Sequence, residues 1–501
     1  MRKYLFFLCL LKALSLPAHT IDLSTTIWNN CKNGSDSLEA LFQFHRPYIN
    51  KDVTIKYPAN QVIHLDITEK AQTIWLSNRT DFNGCTFIVN NQRKNHFLFA
   101  IAYPDATARP INIGKETIDE GNFSRFSELK SGLQILFIED RKPWIENRKG
   151  YNYGAVRKDI LFIKNGKVLN QITTNYNTAN SNPECKYLDA NNTEKLFTNI
   201  TFVRTANSTA ITNLLAVSLQ NNVMIDNISI YTPAYSDKQP QEGDQCFRIY
   251  NSTNVTFRDV SLNGTYSGYN KYGYGINMDN VWNSAFIRLK TKAQWGIFGN
   301  NNINNITLED CDINRFDIHC YGRDITFRNC TFRNNLNDIN TYNQFSSVFG
   351  TILFENCRFL HFYPVLHESS YNAYTGYNLV MRNCYMELDR DHDCIIRAGK
   401  LENVTNSRPE LKEKCWPNID INGLTLKTNG VTDFYLFKPT GENKYSQKLE
   451  HLSYISINNM QLIPSEATLQ FHESPYTIRT KQRMKRTYSL PNNIRLKKRI
   501  K

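Results

Sequence analysis

The 501-residue sequence predicts an all-β solenoid, a chain wound into stacked coils that share one interior. Three observations predict it. The first is a recurring eight-residue pattern: apolar, any, apolar, any, Asn/Asp/Gly, apolar, any, apolar. It reads VMIDNISI from Val223, VTFRDVSL from Val255, ITLEDCDI from Ile306, ITFRNCTF from Ile325, ILFENCRF from Ile352, LVMRNCYM from Leu379, IDINGLTL from Ile419 and ISINNMQL from Ile455; DFNGCTF from Asp81 is a first copy. Strict alternation is the signature of a strand with one face buried, and Asn, Asp and Gly tolerate the left-handed geometry of a tight bend. The second observation is irregular spacing, 19 to 40 residues between copies from Ile306 to Ile455, as expected of one coil per repeat with loops of variable length. The third is that Cys311, Cys330, Cys357 and Cys384 each fall one place after the bend, where they form an inward stack. A lone coil cannot bury its apolar face, so coils must stack.

In chain order, residues 1–20 read as a signal peptide: Arg2 and Lys3, an apolar run from Leu5 to Leu11, then small residues ending near Ala18. No later stretch is long and apolar enough to span a bilayer. Residues 21–478 form one domain. Within 21–110, SLEALFQF at 37–44 predicts a helix that caps the open end of the interior. Residues 111–195 predict a rim insertion, with strands ILFIED and DILFIKNGKVLNQIT around a basic loop at 141–158. Regular coils occupy about 196–465. Residues 479–501 predict a disordered basic tail.

The formal charge is +13, yet Arg2, Lys3 and Lys12 with the ten Lys/Arg of 479–501 account for all of it. The body is neutral, which argues against nucleic acid as a partner. Eleven cysteines follow the signal, an odd number with no CxxC pair, so they read as small apolar filler. A Cys31–Cys85 disulfide is compatible with an oxidising compartment.

The Asn-Cys coil pattern resembles the right-handed parallel β-helix proteins of the pectin-lyase-like superfamily, most strongly over residues 195–465. The resemblance implies a single-stranded right-handed parallel β-helix with an N-terminal helical cap. It also implies an exported, bacterial, carbohydrate-active protein, because the superfamily is mostly polysaccharide lyases, glycoside hydrolases, epimerases and esterases. Fold alone does not choose among them. The polygalacturonase set of Asn-Thr-Asp, Asp-Asp, Gly-His-Gly and Arg-Ile-Lys is missing, as are the pectate-lyase and alginate-lyase signatures.

The sharpest constellation lies in FDIHCYGRDITFRNCTF at 316–332. Alternation sends Phe316, Ile318 and Cys320 inward and leaves Asp317, His319 and Tyr321 in an outward row, with Arg323 just after. Neighbours in such a row stand about 6–7 Å apart, which fits one sugar residue. These groups suit β-elimination at a uronic acid: Arg323 neutralises the carboxylate, His319 takes the adjacent proton, and Tyr321 serves as acid or second proton carrier. Asp317, Arg288, Lys290, Trp295, Gln344, His367 and Tyr371 are expected to bind substrate. The expected partner is an extended anionic polysaccharide and the expected state a monomer. No cofactor is firmly predicted, and calcium is possible: the run Asp389, Asp391, His392, Asp393 would suit it. Two other readings are a glycoside hydrolase using Asp317 and Glu368 and a non-catalytic glycan-binding surface.

Overall fold

A computed structural model describes residues 19–497 apart from 94–95, 103–106, 146–154, 171, 173–175, 178–180, 191–192, 206–207, 209–211, 233–245, 265–273, 292–295, 334–341, 346–347, 368–375, 399–416, 440–447, 450–453, 475–478 and 481–483. Successive coils pair in parallel along three faces. The first face includes residues 306–309, 325–328, 352–355, 379–382 and 419–422. The second includes 312–313, 331–333, 358–360, 385–387 and 425–427. The third includes 276–279, 298–300, 316–318, 344–345 and 396–398.

The bend between the first two faces lies at the fifth position of the repeat. Asn227, Asp259, Asp310, Asn329, Asn356, Asn383, Gly423 and Asn459 all have positive φ, as do Asn83 and Gly84 of the first copy. Their side chains tie successive coils together: Asn329 Nδ2 donates to Asp310 Oδ1 at 3.0 Å and Asn356 Nδ2 to Asn329 Oδ1 at 3.2 Å. At the Gly423 bend a Cβ would come within 2.6 Å of Asn383 Oδ1, so the amide below leaves room only for glycine. The structure adds a coil that the pattern hides, because its bend residue is Arg288, at φ 54°. Arg288 Nε and Nη2 reach the two Asp259 oxygens at 2.6 Å each, which holds a residue that ordinarily avoids this geometry.

Phenylalanines line the interior in a continuous column, Phe298 on Phe316, Phe316 on Phe327 and Phe327 on Phe354, with ring centroids 4.8, 5.2 and 4.8 Å apart. Such rings combine large buried area with favourable ring geometry. Cys311, Cys330, Cys357 and Cys384 are buried among them as free thiols, and Cys31 and Cys85 are also free, so the disulfide is not formed.

The expected cap is helix Gly34–His45, started by Asn33, whose side chain accepts the Asp36 amide at 2.9 Å. Leu38 and Leu41 close the interior, and buried His45 Nε2 lies 2.8 Å from Tyr57 Oη. The rim insertion is a five-stranded antiparallel sheet of Arg109–Ile111, Leu133–Ile145, Ala155–Lys164, Lys167–Val168 and Pro183–Ala190. One side of it has a core of its own, including Ile118, Phe123, Leu136 and Leu161. The other side, with Leu133, Ile135, Ile160 and Phe162, closes over Trp282.

The basic end departs from expectation. Lys485–Ser489 pairs with Tyr454–Asn458 and Ile494–Leu496 with Leu469–His472, so it makes one more coil instead of a disordered tail. Alternation explains this: Ile494 is buried, and Tyr488, Leu490 and Leu496 pack on the core while the charges point away.

Candidate functional site

The strand Phe316–Arg328 begins on the third face. Phe316 and Ile318 enter the core as the alternation requires. In the neighbouring strand Gly296–Glu309, consecutive Asn300 and Asn301 face Ile318 and Cys320, so His319 is an extra residue, a β-bulge. Bulges re-aim side chains and concentrate near active sites. His319 is partly exposed. Three residues further on, Gly322 is buried; a Cβ there would lie 2.6 Å from Ile318 Cδ1, so the bulge and the glycine depend on each other.

The expected outward row is therefore bent. Asp317 is fully buried, and its Oδ1 accepts from the buried Arg315 Nε at 2.6 Å. It is an internal ion pair, not a group offered to a sugar, and the reason is local: Arg315 two residues earlier follows it out of water, since a buried charge needs a partner. Tyr321 lies in the strand on the far side of the bulge, and its side chain is outside the described residues. Arg323 immediately precedes the next bend and is half-exposed, with Nε 3.4 Å from Asp324 Oδ2. Asp324 in turn takes the left-handed conformation, at φ 53°.

Gln344 is brought beside Asp317 by strand pairing, though its side chain is not among those described. Arg288 and Lys290 are not brought to this site. Arg288 is spent on Asp259 at the bend and Lys290 stands on the second face. His367 is buried, 6.0 Å from the Tyr377 ring, in register with core residue Phe345; it is part of the interior, not a sugar ligand. Trp295, Tyr371 and Glu368 lie outside the described residues.

The acidic run does not form the expected calcium cradle. Asp389 instead accepts from the amides of Asp391 and His392, each at 2.8 Å, and meets His361 Nδ1 at 2.7 Å and His392 Nδ1 at 2.9 Å. Among the described residues no group of three or more His, Cys, Asp or Glu is arranged to hold a metal ion. Burial alone would raise the Asp389 carboxyl, but the two imidazoles outweigh it and hold it at about 2. Asp393 is taken by Lys438 Nζ at 2.6 Å.

One third-face group escapes the sequence reading. Asp279 is outward between core residues Met278 and Val281, in register with Asn301 and, one coil further, Cys320. It is half-buried, and its carboxyl makes no hydrogen bond among the described residues. Burial raises its carboxyl above the ordinary range, against the opposing charges of Arg248 and Lys158. The alternation Ile276, Met278 around Asn277 carried half of this signal. Lys158, more than a hundred residues away in sequence, carried the rest.

No family model matches the sequence, and no curated protein matches it. Among solved structures, the tailspike of Acinetobacter baumannii bacteriophage AP22, in complex with A. baumannii capsular saccharide, is 10% identical. The match covers 91% of this chain and 77% of the tailspike, with a TM-score of 0.51. The chain has a right-handed parallel β-helix fold, as its likeness to that tailspike shows. The tailspike of Pseudomonas phage phi297 matches at 10% identity over 87% of this chain and 76% of its own, TM-score 0.43. A family 28 exopolygalacturonase of Yersinia enterocolitica matches at 9% identity over 94% and 78%, TM-score 0.42. Among the described residues, no helix of this β-helix is long and apolar enough to cross a membrane.

Proposed function

We propose that this β-helix is an exported polysaccharide-cleaving enzyme that works on an anionic glycan laid along its third face, by β-elimination at a uronic acid. The observation that carries the reading is the bulge, one of several register shifts between coils, which leaves a partly exposed imidazole, His319, on the third face. The AP22 tailspike, whose fold is alike, was solved with a capsular saccharide; that supports a glycan as ligand without choosing the chemistry. In the proposed reaction Arg323 meets the uronate carboxylate and lowers the pKa of the adjacent carbon acid. His319 takes that proton, and Tyr321 relays protons at the other end of the broken bond. With Asp317 committed to Arg315, the hydrolytic pairing of Asp317 with Glu368 loses one carboxylate. Residues 1–20 are the export signal in this reading, removed on the way out.

The test is ultraviolet absorbance of unsaturated uronate released from a panel of acidic glycans by wild type and His319→Ala. Elimination predicts absorbance in wild type that falls about 10²- to 10⁴-fold in the variant. New reducing ends without absorbance would mean hydrolysis. Silence in both assays, with glycan still bound, would mean a binding protein.

A further inference from the structure

We infer that the glycan lies on the third face alongside the inserted antiparallel sheet, and that Asp279 donates the proton to the departing sugar oxygen. The inference rests on the polysaccharide-cleaving reading and adds a wall and an acid to it.

The wall is built by specific contacts. Asn302 Nδ2 donates to the Lys158 carbonyl at 3.2 Å, and Asn283 Nδ2 to the Leu169 carbonyl at 3.3 Å. Between these two bends Trp282 is fully buried against Leu133, Ile135, Ile160 and Phe162. The inserted sheet is thereby fixed against the turn that follows Asp279, with Lys158 facing the carboxylate from the sheet and Arg248 facing it from the coil before. The two cations suit an anionic sugar, although Lys158 also pairs with Glu139 Oε2 at 3.3 Å; they favour the carboxylate, and it is burial that keeps a proton on Asp279.

The register sets the distance. Asp279 pairs with Asn301, and Asn301 with Cys320, next to the bulged His319. Two ladder steps separate the backbones of the two residues by about 9–10 Å, room for a sugar ring and its linkage between their side chains. The electron count closes with these two groups. His319 removes the proton from the carbon next to the carboxylate, and that C–H pair becomes the C=C bond. The C–O pair leaves with the departing oxygen, which takes its proton from Asp279. Water then takes the imidazole proton from the partly exposed His319 and a proton from water restores Asp279, which closes the cycle.

Asp279→Asn in the full chain is the test, read on two substrates: the natural glycan, and a synthetic uronide whose departing group is nitrophenolate and needs no proton. The expected result is a loss of about 10²- to 10⁴-fold on the glycan, unchanged glycan affinity, and near wild-type turnover of the nitrophenyl substrate. Full activity of the variant on the glycan would overturn the inference and return the acid role to Tyr321. Equal loss on both substrates would overturn it too, by making Asp279 a positioning residue. If the variant fails to fold, the wild-type pH profile decides. A donor must lose activity as pH rises through its pKa, and a profile without that alkaline fall refutes the role. Cleavage by neither wild type nor variant would instead defeat the underlying reading of the protein as an enzyme.

Discussion

The bend at Asp310, Asn329 and Asn356 and the bulge at His319 lie in the same coils but obey opposite rules. At the bend every coil repeats a left-handed residue, and the Asp310 and Asn329 side chains each accept a hydrogen bond from the next coil. At the bulge one strand carries a residue that its neighbour lacks, and the ladder slips. Repetition there serves the stack, since it satisfies polar groups that a sheet edge would leave open. The slip does nothing for the stack and leaves a titratable ring at the surface. Regularity in this molecule is structural, and its interruption is where chemistry is to be sought.

Phe327→Ala strikes what both regions share. It opens the ring column between Phe316 and Phe354, and urea denaturation is expected to show a loss of about 3–5 kcal/mol. Asn329→Val strikes the bend alone. A β-branched residue held at the φ of 52° found there should cost about 1–3 kcal/mol, while Asn329→Gly costs much less, with glycan turnover per folded molecule unchanged in both. Gly322→Ala does the reverse. The new methyl pushes Ile318 Cδ1, at a cost of about 1 kcal/mol, but shifts the strand beside His319 and lowers turnover; adding Ile318→Val, which removes that Cδ1, should recover it.

A pH-dependent effect belongs to neither region. Burial holds His45 of the cap at about 3, far below its unfolded value of 6.5. The folded state thus binds fewer protons, so its contribution to stability is complete above the unfolded pKa and is lost as pH falls from about 6.5 toward 3. His45→Gln should flatten the urea midpoint across that window and leave the site's own pH profile alone.

The bends were legible in sequence because one residue class recurs at one offset inside an alternating pattern, as in ITFRNCTF. The cap was legible for the same reason, from the helical spacing of Leu38 and Leu41. Arg288 was missed because its φ is imposed by Asp259, a partner in another coil. The bulge is a relation between two strands: nothing within 316–322 says that Asn300 and Asn301 will face Ile318 and Cys320. Asp317 illustrates the same limit, since alternation gave its direction while burial of both members of the Arg315 pair was set by the surroundings. In the basic end, charge counting hid Ile494 and Leu496, two positions apart on an ordinary strand.

The left-handed bends have an evolutionary consequence. Because each bend repeats the same local geometry and contacts only the coil on either side, a whole turn of the chain is a unit of insertion or deletion that leaves every other turn undisturbed. Lineages are then free to lengthen the molecule by duplication, and the slipped rung keeps its local structure while its distance from either end changes.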